Sequence, residues 1–173
     1  MPSRACLACL PDPVDVRLRT GETVHVRALV PEDRELVADA FERLSPQSRF
    51  LRFLSPLPRL PKRTLDALMA VDHDRHVAMV ALHEGRAIGV VRYVRDPADP
   101  ASADFAISVV DAFQGRGLGR ALIEVIRAVA ARRGVHRFLM DIHPDNEVML
   151  RLTRSLGGHP AYRDGAMQAQ VAA

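Results

Sequence analysis

The sequence has no apolar run that approaches the roughly 18 to 20 residues needed to cross a bilayer. The patch ACLACL at positions 5–10 is also shorter than the core of a signal peptide, which takes about seven residues or more. A chain of 173 residues with 48% hydrophobic and 26% charged content can bury the core of one domain. We therefore expect a cytoplasmic protein with no membrane partner, a flexible arm over residues 1–13, and a single domain over residues 14–173.

Cysteine is scarce. The two cysteines, Cys6 and Cys9, form a C-x-x-C pair near the start of the chain. This spacing occurs in zinc sites and redox motifs, which require a second ligand pair or a βαβ context. Neither accompanies the pair here. We expect two reduced thiols on the arm and no bound metal.

No segment concentrates charge of one sign. The 24 basic and 21 acidic residues are mixed along the chain, with a formal net charge of +3. A nucleic-acid binder needs a basic stripe, so we expect no nucleic-acid partner. Lysine is nearly absent, Lys62 being the only one, and the planar guanidinium of arginine favours bidentate contacts with phosphate or carboxylate. The sequence leaves open whether the protein is a monomer or a homodimer.

Hydrophobic periodicity predicts a regular order of elements, with no internal repeat and no low-complexity tract. Hairpins combined with one strand-helix-strand crossover are typical of an α/β (α+β) fold, a mixed and mostly antiparallel sheet with helices on both faces. The predicted order is βαααβββαβα followed by a weak β. The strands fall at residues 14–20 and 23–30 (a hairpin or a bent first strand), 76–82, 87–94, 104–110, 137–142 and 162–171, and the helices at residues 31–44, 47–54, 62–70, 117–134 and 146–156.

Three glycines at alternating positions, Gly115, Gly117 and Gly119, lie between a predicted strand and a predicted helix. Amide groups in the first turn of a helix lack intrahelical partners, and the helix dipole places partial positive charge there. Because these glycines carry no side chains, an anion can approach the backbone closely. The sequence therefore predicts a ligand that carries phosphates.

Several phosphate ligands compete for such a loop. A dinucleotide-binding G-x-G-x-x-G motif would need glycine where the chain has Arg120. A P-loop would need G-K-[ST] where the chain reads Gly119-Arg120-Ala121. Both are disfavoured, and a plain glycine turn that closes the strand-helix unit remains an alternative.

The stretch QGRGLG at residues 114–119 resembles the Q/R-x-x-G-x-G/A signature of the GNAT acyltransferases, with a strand before it and a helix after it. From about residue 16 to residue 157 the chain resembles the Pat-type bacterial protein lysine acetyltransferases. The segments that carry this resemblance are LSPQSRFLRFLSPLP at 44–58, VDHDR at 71–75, VRYVRDP at 91–97 and ADFAISVVDAFQGRGLG at 103–119.

The resemblance implies a GNAT fold whose strands splay around a slot for acetyl-CoA. Loop amides would hold the pyrophosphate, nearby arginines would add positive charge, and the strand before the loop would pair with the pantetheine arm. Asn146 resembles the family's cofactor-contacting asparagine, although a helix N-cap explains it equally well. The implied cofactor-binding residues are Ile107, Val109, Gln114, Gly115, Arg116, Gly117, Leu118, Gly119, Arg120 and Asn146.

Acetyl transfer to an amine requires a base, because an alkyl amine with a pKa near 10.4 is almost fully protonated at neutral pH. Many GNAT enzymes carry a glutamate on the strand before the glycine loop, and Asp104 occupies that place here. Aspartate is one methylene shorter, which favours a bridging water. A solvated strand-edge role is the alternative for Asp104, and Asp72, Asp74 and Asp141 are competing carboxylates.

Many family members protonate the departing thiolate with a tyrosine in the last helix. The corresponding place here is Thr153, whose hydroxyl is a poor acid, so water is the expected proton donor. The resemblance thus implies an acetyl-CoA-dependent N-acetyltransferase acting on a protein lysine. A small-amine acetyltransferase and a non-catalytic acyl-CoA sensor are the alternatives.

Four arginines precede the central strands: Arg49, Arg52, Arg59 and Arg63. In related folds this segment borders the acceptor groove, so these arginines could contact acidic residues beside a target lysine. The other interpretation, which we favour from the sequence, is ordinary surface charge.

Overall fold

The computed structural model describes residues 12–163 and 166–173. Cys6 and Cys9 lie outside the described residues, so the prediction of two reduced thiols stays a prediction. The boundary between a flexible arm and the domain also stays a prediction, and the first strand begins at Val14.

The described residues form five α-helices and eight strands. The helices are α1 (Arg34–Glu42), α2 (Pro46–Phe53), α3 (Lys62–Met69), α4 (Leu118–Arg132) and α5 (Glu147–Ser155). The strands are β1 (Val14–Arg17), β2 (Thr23–Ala28), β3 (His76–His83), β4 (Arg86–Arg95), β5 (Ser102–Val109), β6 (Arg137–Ile142), β7 (Ala161–Arg163) and β8 (Ala166–Ala172). None of the helices in these ranges is both long enough and apolar enough to cross a membrane.

All eight strands lie in one sheet with the order β1-β2-β3-β4-β5-β6-β8-β7. Every neighbouring pair is antiparallel except β5 and β6, which are parallel and joined through α4. A parallel pair needs such a crossover, whereas the antiparallel pairs β1–β2 and β3–β4 are joined by short turns. The predicted mixed, mostly antiparallel sheet is confirmed.

Helices cover both faces of the sheet, as the sequence predicts. Alternate side chains of a strand point to opposite faces. On one face Ala78 and Val80 pack with Val37 of α1 and Met69 of α3. On the other face α4 packs close to β4, since a Cβ added to Gly89 would lie 3.0 Å from a methyl of Leu122.

The ends of the chain differ in detail from the prediction. Pro31 opens a short 3₁₀ turn, and the first α-helix begins at Arg34 rather than at the proline. The tail forms a hairpin rather than one strand, with β8 pairing along the whole of β6. Its side chains alternate, with Ala169 and Val171 buried, a period-2 pattern too weakly hydrophobic to stand out in the sequence.

The packing around Gly158 can be tested by substitution. A Cβ at this position would lie 2.6 Å from Val171 Cγ1 and 2.7 Å from Thr153 Cγ2. Because overpacking typically costs about 1 to 3 kcal/mol, we expect Gly158→Ala to lower the free energy of unfolding in urea by that amount. Gly119→Ala is the matched control, because its Cβ would meet only ordinary contacts at 3.9 Å and 4.0 Å. Equal unfolding free energies for the two variants would contradict the packing described.

Candidate functional site

The central feature of the site is a divergence between two parallel strands. β5 pairs with β6 only at residues 102–104, where Asp104 lies opposite Leu139. Beyond that point β5 continues beside β4, whereas β6 pairs on its other side with β8. The divergence opens a groove with a volume of about 1940 Å³, lined by both strands, the glycine loop and the start of α5. We call this groove the slot.

The backbone of β5 faces the slot at alternate residues. Val110 N–H donates to Ile88 of β4, whereas Ala101 C=O accepts from Arg137 on the side of β6. Since strand backbone groups alternate in direction, Ile107 and Val109 direct theirs towards the slot. An extended ligand can therefore pair with β5 as an added strand would.

The glycine loop closes one end of the slot. Gly115 and Gly117 have φ values of 72° and 94°, in the left-handed region that favours glycine. Gly117 is the N-cap of α4 and supplies no side chain to the first-turn amides, which leaves them available to an anion. Leu118 is 1% exposed, so only its backbone can reach a ligand.

Arg19, which the sequence gave no reason to single out, lies against this loop. Its Nη2 donates to the C=O of Gly115 at 2.9 Å, and its backbone N–H donates to the C=O of Arg116 at 3.1 Å. A Cβ on Gly117 would lie 3.4 Å from Arg19 Nε. The contact depends on the β1–β2 hairpin folding back on a loop almost a hundred residues away, which no local pattern reveals.

The polar side chains of the loop are held by protein partners. Arg116 pairs with Glu22 and lies 4.9 Å above the ring of Phe113, while Arg120 Nε lies 3.2 Å from Glu124 Oε1. Gln114 Nε2 donates to Val109 C=O at 3.0 Å and to a serine hydroxyl of α2. The loop therefore offers a ligand mainly its amides. Ligand contacts of Gln114, Arg116 and Arg120 stay predictions.

Asp111 fastens the same loop to α2. Its carboxylate accepts from the backbone N–H of Ser45 at 2.9 Å and from the hydroxyls of Ser45 and Ser48 at 2.7 Å and 2.9 Å. Burial acts to raise the pKa of Asp111, but these hydrogen bonds outweigh it and hold the pKa below its usual value. The slot thus has a fixed wall on the α2 side.

Asp104 lies where β5 and β6 separate, with its side chain exposed in the slot. Burial of part of the carboxyl raises its pKa above the usual value, and the charges of Asp96 and Asp141 raise it further. A raised pKa makes a carboxylate a stronger base. The position and the electrostatics therefore suit a proton acceptor.

The competing carboxylates have other environments. Asp72 Oδ1 accepts backbone N–H groups of Asp74, Arg75 and His76 at 2.8 to 2.9 Å, so it closes a loop. Asp74 Oδ1 lies 3.9 Å from Nη1 of Arg133, the residue after α4, and Asp141 shares the slot with Asp104. In the part of the chain that the structure describes, no group of three or more His, Cys, Asp or Glu side chains could hold a metal ion.

Asn146, the N-cap of α5, and Thr153, within α5, have different environments. Asn146 Oδ1 accepts from Met149 N–H at 3.1 Å, which is an N-cap contact, and the residue also lines the slot. Thr153 is fully buried, with its hydroxyl 3.5 Å from Met140 Sδ. Thr153 therefore cannot donate a proton into the slot, in keeping with the poor acid expected there.

Known proteins share this architecture. Residues 37–157, more than half of the chain, match the family described as Acetyltransferase (GNAT) family. The chain is 32% identical over 158 residues to the acetyltransferase Pat of Mycolicibacterium smegmatis, covering 90% of this chain and 47% of that protein. It is 33% identical over 144 residues to an acetyltransferase of Pseudomonas aeruginosa, covering 81% of this chain and 77% of that protein. The chain therefore spans about half the length of the Mycolicibacterium relative.

A solved structure agrees over nearly the whole chain. The GNAT domain of S. lividans PAT superposes with a TM-score of 0.87 at 32% identity, covering 94% of this chain and 99% of that one. A cAMP-binding acyltransferase from Mycobacterium smegmatis superposes with a TM-score of 0.67 at 30% identity, and this chain covers 49% of it.

The raised pKa of Asp104 predicts a stability effect. When the pKa of a carboxyl is higher in the folded chain than in the unfolded chain, the folded protein loses stability as the pH rises from the unfolded pKa through the folded pKa. We expect Asp104→Asn to raise Tm at pH 7.5, with a smaller gain at pH 4.5.

Asp72→Asn is the matched control, because backbone hydrogen bonds outweigh burial and lower the pKa of Asp72. Its ionised form stabilises the fold, so this variant should lower Tm at pH 7.5. Thermal unfolding at the two pH values checks both signs. A lower Tm for Asp104→Asn at pH 7.5 would contradict the environment described.

Proposed function

The chain belongs to the GNAT family, a family of N-acetyltransferases, and we propose that it transfers an acetyl group from acetyl-CoA to a primary amine by direct attack. The observation that carries this proposal is the convergence in one slot of an unpaired strand edge, a glycine loop and Asp104. The resemblance drawn from the loop motif and the Pat-like segments is confirmed at the level of the family.

Each end of acetyl-CoA has a matching feature in the slot. The pantetheine arm carries amides that suit the backbone groups of Ile107 and Val109 on the free edge of β5, where the side chain of Gln114 already occupies the Val109 C=O. The pyrophosphate suits the amides at the start of α4, with Arg19 adding positive charge beside Gly115. Gly117 matters most here, because any larger residue would meet Arg19 and would be strained at its φ of 94°.

Acetyl-CoA supplies a thioester, and transfer forms the amide C–N bond while the C–S bond breaks. Asp104 takes the proton of the attacking amine, directly or through one water. Its position at the strand divergence places it beside the point where the pantetheine arm would end. Because Thr153 is buried, water donates the proton to the departing thiolate. A thiol pKa near 8.5 means that the thiolate is a good leaving group and needs no strong acid.

A protein lysine is the proposed acceptor, on the strength of the similarity to Pat-type enzymes. A small amine is the alternative within the same chemistry. A non-catalytic acyl-CoA sensor is a second candidate, favoured by the short Asp104 side chain and by the burial of Thr153. Incubation with acetyl-CoA and a panel of amines and lysine peptides, with thiol release as the readout, separates these. Coenzyme A binding without turnover would favour the sensor.

We expect Asp104→Asn to lower kcat by about 10² or more, because the amide cannot accept the proton, while coenzyme A affinity changes less than about threefold. Asp141→Asn is the matched variant in the same slot. It removes a negative neighbour that raises the pKa of Asp104, so the acid limb of its pH–rate profile should move to lower pH. Wild-type turnover in Asp104→Asn would remove this residue from the mechanism.

We expect Gly117→Glu to weaken coenzyme A binding at least about a hundredfold in calorimetry, because it places bulk and negative charge at the phosphate position. Gly119→Ala should bind normally, since its Cβ has room and the family signature admits alanine there. Because residue 117 is strained with any side chain, Gly117→Glu should have a lower Tm than Gly119→Ala, and a single cooperative unfolding transition shows that the rest of the fold is intact. Retained affinity in Gly117→Glu would refute the loop assignment.

A further inference from the structure

Two arginines, Arg52 of α2 and Arg92 of β4, line the same small cavity. Arg92 of β4 is 6% exposed, and its Nη1 donates to Leu68 C=O at 2.7 Å and to His76 Nε2 at 3.1 Å. The guanidinium of Arg52 in α2 stacks on the ring of Phe53 at 4.8 Å. Arg52 is half-buried and lines the slot, so it differs from a fully exposed surface arginine.

Neither arginine has a carboxylate partner among the described residues. Arg52 makes no hydrogen bond or ion pair with any of them, and Arg92 contacts only a carbonyl and a neutral ring nitrogen. Burial lowers the pKa of Arg52 to about 10 and that of Arg92 to about 9, the charge of Arg52 adding to the effect on Arg92. Both remain protonated at neutral pH. Buried charges in proteins are normally paired, so this pair is incomplete without an anion.

A small cavity gives such an anion a place. It has a volume of about 30 Å³ and is lined by Arg52, Arg92 and Ser108 together with apolar side chains. Arg52 and Ser108 also line the slot, so the cavity adjoins it. One water needs about 10 to 15 Å³ of such space, so the cavity has room for about two water-sized groups, which suits the two oxygens of a carboxylate.

The cavity lies near the reacting atoms of the proposed transfer. Arg92 is opposite Ala106, and Asp104 is two residues along β5 on the same face of the sheet. Diagonal neighbours of this kind lie roughly 7 to 8 Å apart. Ser108 is two residues further on, again on this face. A group held here would therefore belong to the acyl chain or to the acceptor close to its amine.

We propose that Arg52 and Arg92, with Ser108, form a subsite for a carboxylate carried by one of the two reactants. The carboxylate is either the far end of a dicarboxylic acyl group or a carboxylate of the acceptor. The planar guanidinium of Arg52 can bind it with two parallel hydrogen bonds, and Arg92 contributes charge from below. This proposal rests on the acyl transfer proposed above and names the chemistry of its substrates.

The experiment has two arms, each a pair of probes that differ in one carboxylate. The acyl arm compares succinyl-CoA with acetyl-CoA, and the acceptor arm compares β-alanine with β-alaninamide in the presence of coenzyme A. Affinities are measured by calorimetry, so turnover is not required, and kcat/KM is added where thiol release is detected. In each arm the preference ratio is the value for the probe with the carboxylate divided by the value for the probe without it. This ratio is compared between wild type, Arg52→Gln and the exposed control Arg59→Gln, so that differences in the intrinsic reactivity of the two probes cancel.

In one arm we expect wild type to prefer the probe that carries the carboxylate. This preference ratio should fall at least about fivefold in Arg52→Gln and stay unchanged in Arg59→Gln. The arm that responds identifies the source of the carboxylate. If Arg52→Gln does not fold, Arg52→Lys, which keeps the charge and loses the planar fork, should show the same loss. A change below about fivefold in both arms, with coenzyme A still bound by wild type, overturns the subsite alone. Absence of coenzyme A binding to wild type overturns the proposed function and the subsite with it.

Discussion

The short parallel pairing between β5 and β6 is the constraint on which the site depends. Three residue pairs hold the strands together, and beyond Asp104 and Leu139 each strand follows a different neighbour. A longer pairing would use the backbone groups of residues 105–109 within the sheet. The extension of β6 by β8 satisfies its outer edge and leaves the inner edges apart. One local choice of register therefore creates both the slot and the free strand edge within it.

Charge is distributed along the slot in a consistent order. The amides at the start of α4 and Arg19 give a positive end, Arg52 with Arg92 gives a second positive region beside Ala106 and Ser108, and Asp104 lies beyond it at the strand divergence. The Asp111 contacts to Ser45 and Ser48 connect the first of these regions to α2. Both anion-attracting regions thus lie on the same side of the proposed base along β5, towards the glycine loop.

Local sequence patterns predicted the secondary-structure elements and the family, but they could not predict contacts between residues that are distant in the sequence. Strand β6 was predicted at the bounds that the structure has, and the glycine loop was recognisable because its function requires residues without side chains at fixed spacing. Arg19 and Asp111 could not be found in this way, since their partners are distant in sequence. Arg52 resembles any exposed helix arginine in the sequence. Its partial burial follows from how α2 lies on the sheet, which residue types alone do not fix.

Amide hydrogen exchange with and without coenzyme A tests the central claim most directly, because it reports on individual backbone groups. The account predicts new protection at residues 115–119 together with Ile107 and Val109, and little change along the fully paired strands β3 and β4. Binding of coenzyme A that protects neither the loop nor the edge of β5 would contradict it.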